Sequence, residues 1–252
     1  EYTAASDSVK IYQTDAGADP ADFFIGEEPE LIFAENFDAV TDFNEWGELL
    51  GSKGVNFPRG AGTNDFHAIA KADNEYAGLV VRGSQSLVVK NTPDSSIESV
   101  AFGNSGYLRL SPGKNYAISF TLKPEATIPT GARIYVCMMN WEANNGCSNW
   151  SNELIFTKTD EGFTVNPTDK SYMFAGAYEE QGGQYRIAAT FKGMPSTNAG
   201  GYSAFVRLIF NGGEYTAAID SVMIYETDPG ADPADFMMGE GPEIVYTERS
   251  EE

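Results

Sequence analysis

Residues 1–35 and 214–248 are two copies of one sequence, EYTAASDSVKIYQTDAGADPADFFIGEEPELIFAE and EYTAAIDSVMIYETDPGADPADFMMGEGPEIVYTE. They align without a gap at an offset of 213 residues, with 24 of 35 positions identical. Such similarity at opposite ends of a chain is the mark of a tandem array cut partway through a unit. It leaves room for one complete module and pieces of its neighbours. The first half of the repeat, EYTAA-DSV-IY, alternates apolar and polar residues and reads as a closing β-strand. The GADPADF half is rich in Pro and Asp and reads as a linker. On this reading residues 1–12 are the last strand of a preceding module and 13–30 an acidic linker. Residues 31–226 are then a complete module, and 227–252 a second acidic linker and tail. Duplicated edge strands within a single fold would give the same pattern.

The middle segment has the rhythm of an antiparallel β-sandwich. SQSLVVKN, GYLRLS, NYAISFTLKP, ARIYVCMMNW, NELIFTKT, GFTVNP, YRIAATFKG, YSAFVRLIFNG and AAIDSVMIYE are short and rich in β-branched or aromatic residues. Gly, Pro, Asn and Asp separate them, and no helical period competes. Ser111-Pro112-Gly113-Lys114 has the composition of a tight turn between two strands. The fold class expected is all-β.

Composition narrows the function. The 252 residues carry a formal charge of −21. Nucleic acid and anionic membrane both call for clustered Lys and Arg, so neither is an expected partner. The acidity is uneven, with −7 in residues 1–30, −8 in 226–252 and only −6 between them. The charge therefore belongs mostly to the expected linkers. No run of about 18 apolar residues is present to insert in a bilayer, and the opening EYTAASDSVK has no features of an export signal. The single histidine, His67, excludes zinc sites built on several His ligands. A satisfied structural histidine is the simpler reading of it.

The densest candidate for binding is residues 133–150, RIYVCMMNWEANNGCSNW. Trp141 and Trp150 flank a loop with Asn140, Glu142, Asn144, Asn145 and Asn149. Sugar recognition needs flat apolar faces for C–H groups and planar amides or carboxylates for hydroxyls, and aromatic rings supply contact area at low rotamer entropy. On strand alternation Tyr135, Cys137, Met139 and Trp141 share one face. The same tryptophans could instead plug and cap the core. Cys137 and Cys147 enclose nine residues, and a disulfide between them would clamp the Trp141 loop. Two separate thiols, with Cys137 buried in its strand, are the alternative.

Three stretches resemble the jelly-roll carbohydrate-binding modules of families 4, 9 and 22. Residues 33–38, FAENFD, followed by Trp46, look like the family's opening pattern, with Glu35-Asn36 where Gly-Gly is common. Residues 110–120, LSPGKNYAISF, look like its central turn and strand. Residues 218–225, AIDSVMIY, match its closing strand. The resemblance implies a jelly roll over 31–226, Trp46 in the core and Phe102 as a second stacking ring. It also implies a structural calcium ion joining the opening and closing strands. Asp38 and Asp220 would be its side-chain ligands, with backbone oxygens near Glu35 and Leu79. The C-terminal YTERSEE is similar to the point where some family 10 xylanases of gut bacteria resume their barrel after inserted modules.

The expected function is a non-catalytic module of a secreted or cell-surface bacterial protein. It would bind a β-linked plant polysaccharide, xylan first and β-glucan second, beside an appended catalytic domain and a sister module. Two other readings stay open. One is a glycosidase using a pair such as Glu142 and Glu153, with carboxyls about 5–5.5 Å apart for a retaining mechanism. The other is an adhesin or structural spacer whose tryptophans are core.

Overall fold

A computed structural model describes residues 8–13, 29–38, 55–56, 67–91, 98–102, 110–142, 146–148, 152–167, 172–194, 205–237 and 243–249. Among them every strand pairing is antiparallel. Residues Pro29–Met237 form one compact unit, an antiparallel β-sandwich.

Its first sheet contains β3 (Val55–Asn56), β6 (Glu98–Phe102), β8 (Arg133–Glu142), β10 (Glu153–Thr159), β11 (Gly162–Pro167) and β14 (Phe205–Asn211). They run in the order β11-β10-β8-β14-β6-β3, and the short β9 (Gly146–Ser148) pairs with β8. The second sheet contains β4 (His67–Lys71), β5 (Gln85–Asn91), β7 (Asn115–Pro124), β12 (Met173–Gln181), β13 (Gln184–Lys192) and β15 (Tyr215–Thr227). Its order is β12-β13-β7-β15-β5-β4, with β2 (Glu30–Glu35) also paired to β15. The chain changes sheet at β2–β3, β3–β4, β5–β6, β6–β7, β7–β8, β11–β12, β13–β14 and β14–β15. This repeated crossing makes the sandwich a jelly roll.

Alternation builds the core. On β7 Tyr116, Ile118, Phe120 and Leu122 point inward; on β8 Ile134, Val136 and Met138; on β14 Val206, Leu208 and Phe210. All these belong to one continuous cluster between the sheets. The Ser111–Lys114 turn forms as composition requires, with Gly113 at φ 84° and the Lys114 amide donating to the Ser111 carbonyl at 3.3 Å. A residue after Pro at positive φ is the glycine position of a type II turn.

One strand is legible only from packing. β12, MFAGAYEEQ, is poor in strand formers, yet it pairs along β13 through a Gly182-Gly183 turn with φ values of 60° and 80°. Those angles belong to the hairpin turn that matches strand twist. Its small residues answer the opposite sheet, because a Cβ on Gly176 would stand 2.4 Å from Leu154 Cδ2.

Residues 228–237 fall in the stretch read as linker, but they are folded onto the second sheet. Asp232 accepts a hydrogen bond from the Ala234 amide at 2.9 Å and opens a 3-10 turn, Pro233–Phe236, whose Phe236 is buried. Phe236 meets Tyr225 at 5.5 Å between ring centroids and packs with Ala117 and Ala188. Asp-Pro is a helix-start signal, and the one large apolar side chain behind it is what the sheet buries. The second compact unit holds residues Glu1–Glu28 and Met238–Glu252. In it β1 (Ser8–Gln13) pairs with β16 (Glu243–Arg249).

Candidate functional site

The outer face of the first sheet is built by the residues that alternate with the core positions. Cys137 on β8 lies between Arg207 on β14 and Glu153 on β10. In the next row Tyr135 lies between Ile209 and Ile155, and beyond it Arg133 lies between Asn211 and Thr157. A face turned from the core would ordinarily be wet. Here Cys137, Arg207 and Ile209 are only 1%, 6% and 2% exposed, so this face is sheltered. Tyr135 and Glu153 are half-buried. Burial pushes the Glu153 carboxyl above the usual carboxylate range, because a low-dielectric site disfavours the charged form. The Arg133 guanidinium donates to the Tyr135 hydroxyl at 3.5 Å.

Arg207 is the residue that sequence reading passed over. Its signal was the lone cation inside FVRLIF, where a charge is costly unless the strand presents it to a polar purpose. A guanidinium offers five donors in a fixed plane. With Glu153 and Tyr135 it places a donor set, an acceptor and a ring on one sheltered face.

The tryptophan loop is only partly placed. Asn140, Trp141 and Glu142 continue β8, opposite Ser148, Cys147 and Gly146 of β9. Position 141 is on the same alternation as 135 and 137, so β8 leads from the sheltered face toward the loop. The side chains of Asn140, Trp141 and Glu142 lie outside the described residues, as do Asn149, Trp150 and Trp46. Phe102 closes β6 opposite Val206 and Val55, and its ring is likewise outside them.

Register overturns the expected disulfide. Cys147 stands opposite Trp141, four residues along β8 from Cys137, which is about 13 Å of strand. A bridge needs Cα atoms within about 7 Å, so the two cysteines are separate and Cys137 is a buried thiol. Alkylation of the denatured, unreduced protein is expected to label two cysteines by mass; a single label or none would contradict this pairing. Register also separates the carboxylate pair considered for hydrolysis. Glu153 is opposite Cys137, and Glu142 lies five residues farther along β8, about 16 Å, on the opposite alternation. That is no retaining geometry.

The candidate calcium ligands sit elsewhere, where β2 meets β15. Asp38 Oδ1 accepts from the Ser84 amide at 2.7 Å, the Ser84 hydroxyl at 2.8 Å and the Gln85 amide at 3.0 Å. Asp220 is fully buried. It accepts from the Ser86 hydroxyl and the Ser221 amide, each at 2.5 Å. Its carboxyl is pushed up to about 6, first by burial and in smaller part by the Asp38 charge, against the pull of these hydrogen bonds. Glu35 caps the Phe37 amide at 2.8 Å, and Leu79 is buried in a 3-10 turn, Ala77–Leu79. Among the described residues no three His, Cys, Asp or Glu side chains group around a metal position. The donors nonetheless fit a hard cation in kind: two neighbouring carboxylates, one of them buried, repel until a positive charge joins them.

No family model matches the sequence, and no curated protein matches it. Solved structures similar to it include the CBM22-1 xylan-binding domain of Paenibacillus barcinonensis Xyn10C, at 10% identity and a TM-score of 0.44. That match covers 82% of this chain and 100% of the other. Another is the CBM22-1–GH10 portion of Clostridium thermocellum endo-1,4-β-D-xylanase 10B, complexed with xylohexaose. It has 12% identity and a TM-score of 0.44, and the match covers 81% of this chain but 30% of that one. A third is the K1 cleaved adhesin domain of Porphyromonas gingivalis Lys-gingipain, at 10% identity and 0.43, covering 78% and 98%.

Proposed function

We propose that the module is a non-catalytic carbohydrate-binding domain for a β-linked plant polysaccharide, with xylan the first candidate and β-glucan the second. The observation that carries this is the sheltered outer face of the first sheet. There Arg207, Cys137 and Glu153 form one cross-strand row beside Tyr135, on the strand that continues to Trp141 and the asparagine-rich loop. A sugar presents a C–H face and a ring of hydroxyls. An aromatic platform meets the first, and planar amides with a half-buried carboxylate, Glu153, meet the second. Trp141 and Trp150 are the proposed stacking rings, with Phe102 a further one and Asn140, Glu142 and Asn149 supplying hydrogen bonds. Asp38 and Asp220, with backbone oxygens near Glu35 and Leu79, would hold a structural calcium ion. That ion would tie β2 to β15.

In this role the module would sit in a secreted or surface-attached bacterial protein. It would bring an appended glycoside hydrolase to its substrate, with sister modules adding avidity. No helix among the described residues is long and apolar enough to cross a membrane. Two rings stacking on a glycan would correspond to micromolar to millimolar affinity, about −8 to −4 kcal/mol.

The test is affinity electrophoresis in gels containing xylan, β-glucan, mannan or starch, with reducing-sugar release measured alongside. Retardation in xylan or β-glucan without sugar release is the expected result. Unchanged mobility in every gel would leave the module a spacer or adhesin, and released sugar would make it an enzyme.

A further inference from the structure

The two-stranded ribbon of β1 and β16 repeats a pairing found inside the sandwich. Beyond the end pair Ser8↔Arg249, its register is Val9↔Glu248, Lys10↔Thr247, Ile11↔Tyr246, Tyr12↔Ile244 and Gln13↔Glu243, with an irregularity between Ile11 and Tyr12. Moving β1 forward and β16 back by the 213-residue repeat turns the last five of these six pairs into ones made by β15 and β2. Those are Val222↔Glu35, Met223↔Ala34, Ile224↔Phe33, Tyr225↔Leu31 and Glu226↔Glu30, with the irregularity between Ile224 and Tyr225. Five pairs and one bulge coincide. A strand slipped by one residue would turn every side chain to the wrong face, so a shared register means a shared structural role.

In the sandwich β15 is also paired to β7, over Ala217–Asp220 and Met223–Thr227. Among the described residues the ribbon is two-stranded, a closing strand with its opening strand. Two strands alone are marginal in water. In the sandwich the same pair is completed by β7.

The docked turn sets where such a module ends. Phe236 is buried on the second sheet behind the Asp232 cap, past the last strand. The first copy of the repeat carries the same residues as Asp19, Pro20, Ala21, Asp22 and Phe23. Six residues, 237–242, then separate the docked Phe236 from the strand that begins at Glu243. Their extended reach is on the order of 20–25 Å.

We infer that β1 and β16 are the closing and opening strands of further copies of this module, and that the docked Asp-Pro-Ala-Asp-Phe turn is the last part of every copy. Consecutive modules are thus joined by a six-residue spacer, not by the whole acidic stretch between their strands. Each copy is sealed by its own phenylalanine. This does not rest on sugar binding.

Paired substitutions in the full chain test it. Phe236→Ala removes a docked ring and is expected to lower Tm by at least about 5 °C, with new protease cleavage in 228–237. Phe23→Ala, at the same place in the first copy, is expected to leave Tm unchanged, because the sheet it serves belongs to another module. If Phe236→Ala does not fold, Phe236→Leu against Phe23→Leu carries the comparison. A second arm grafts the outer pair onto the inner one. Leu31→Ile, Ile32→Val, Phe33→Tyr and Ala34→Thr convert β2 to the β16 sequence, and Met223→Lys with Glu226→Gln convert residues 221–226 of β15 to that of β1. This chimera is expected to keep one cooperative unfolding transition. A control with the same segments moved by one residue is expected to lose it. Equal Tm losses from Phe23→Ala and Phe236→Ala, or a chimera that cannot fold, would overturn the assignment.

Discussion

Replacing Trp141 and Trp150 together by Ala is expected to abolish retardation in xylan gels and to leave Tm close to that of the parent. Each exposed ring that stacks on a sugar contributes about 1–3 kcal/mol through apolar burial and face contact. Losing one corresponds to roughly a tenfold or greater fall in affinity, and losing two removes binding from the measurable range. Glu153→Gln separates the platform from the polar row. It keeps the size of the half-buried side chain and removes its charge. It is expected to weaken binding to each glycan while the tryptophans still give residual retardation. The stability control decides the matter. A core tryptophan truncated to Ala costs about 3–5 kcal/mol, so a double variant that loses both binding and several degrees of Tm would make the rings structural.

Asp220→Asn is expected to act in opposite directions with and without calcium. In chelated protein the Asp220 carboxyl titrates near 6, above its unfolded value near 3.9. Between those values the native state holds a proton that the unfolded chain has released. This group's contribution to stability is therefore intact below about pH 4 and lost as pH rises through 6. The loss is on the order of 3 kcal/mol, taking 1.36 kcal/mol per pKa unit. The asparagine variant has no such loss, so its stability relative to the parent should grow from pH 4 to pH 7 under chelator. Its amide oxygen can still accept from the Ser221 amide. Added calcium is expected to raise the parent Tm by mass action and to leave the variant unmoved. A parent Tm that ignores both chelator and calcium would count heavily against the ion, and a flat parent-minus-variant difference across pH would count against the buried charge. Thermal unfolding followed at several pH values measures both.

Strand identity was largely local and so legible beforehand. β7 and β11 run over the residues that alternation and turn chemistry mark out, because Tyr116, Ile118, Phe120 and Leu122 recur with period 2 between Pro-Gly and Pro-bounded ends. β12 was not legible, since its Gly176 serves the opposing Leu154 and Phe156 and its small residues carry little strand propensity of their own. Arg207 was visible as an oddity, but its place beside Cys137 and Glu153 depends on which strands neighbour β14.

By itself the sequence determined an all-β sandwich, a 213-residue repeat and a loop crowded with tryptophan and amides. These follow from periodicity, turn residues and self-similarity, which act over short distances or by direct comparison. Tertiary structure alone decided the rest: cysteines too far apart to bridge, the separation of Glu142 from Glu153, a sheltered row on the outer face, and Phe236 docked where a linker was read. Each depends on register or on burial against a distant strand. A one-residue slip reverses such relations without changing the pattern along the chain.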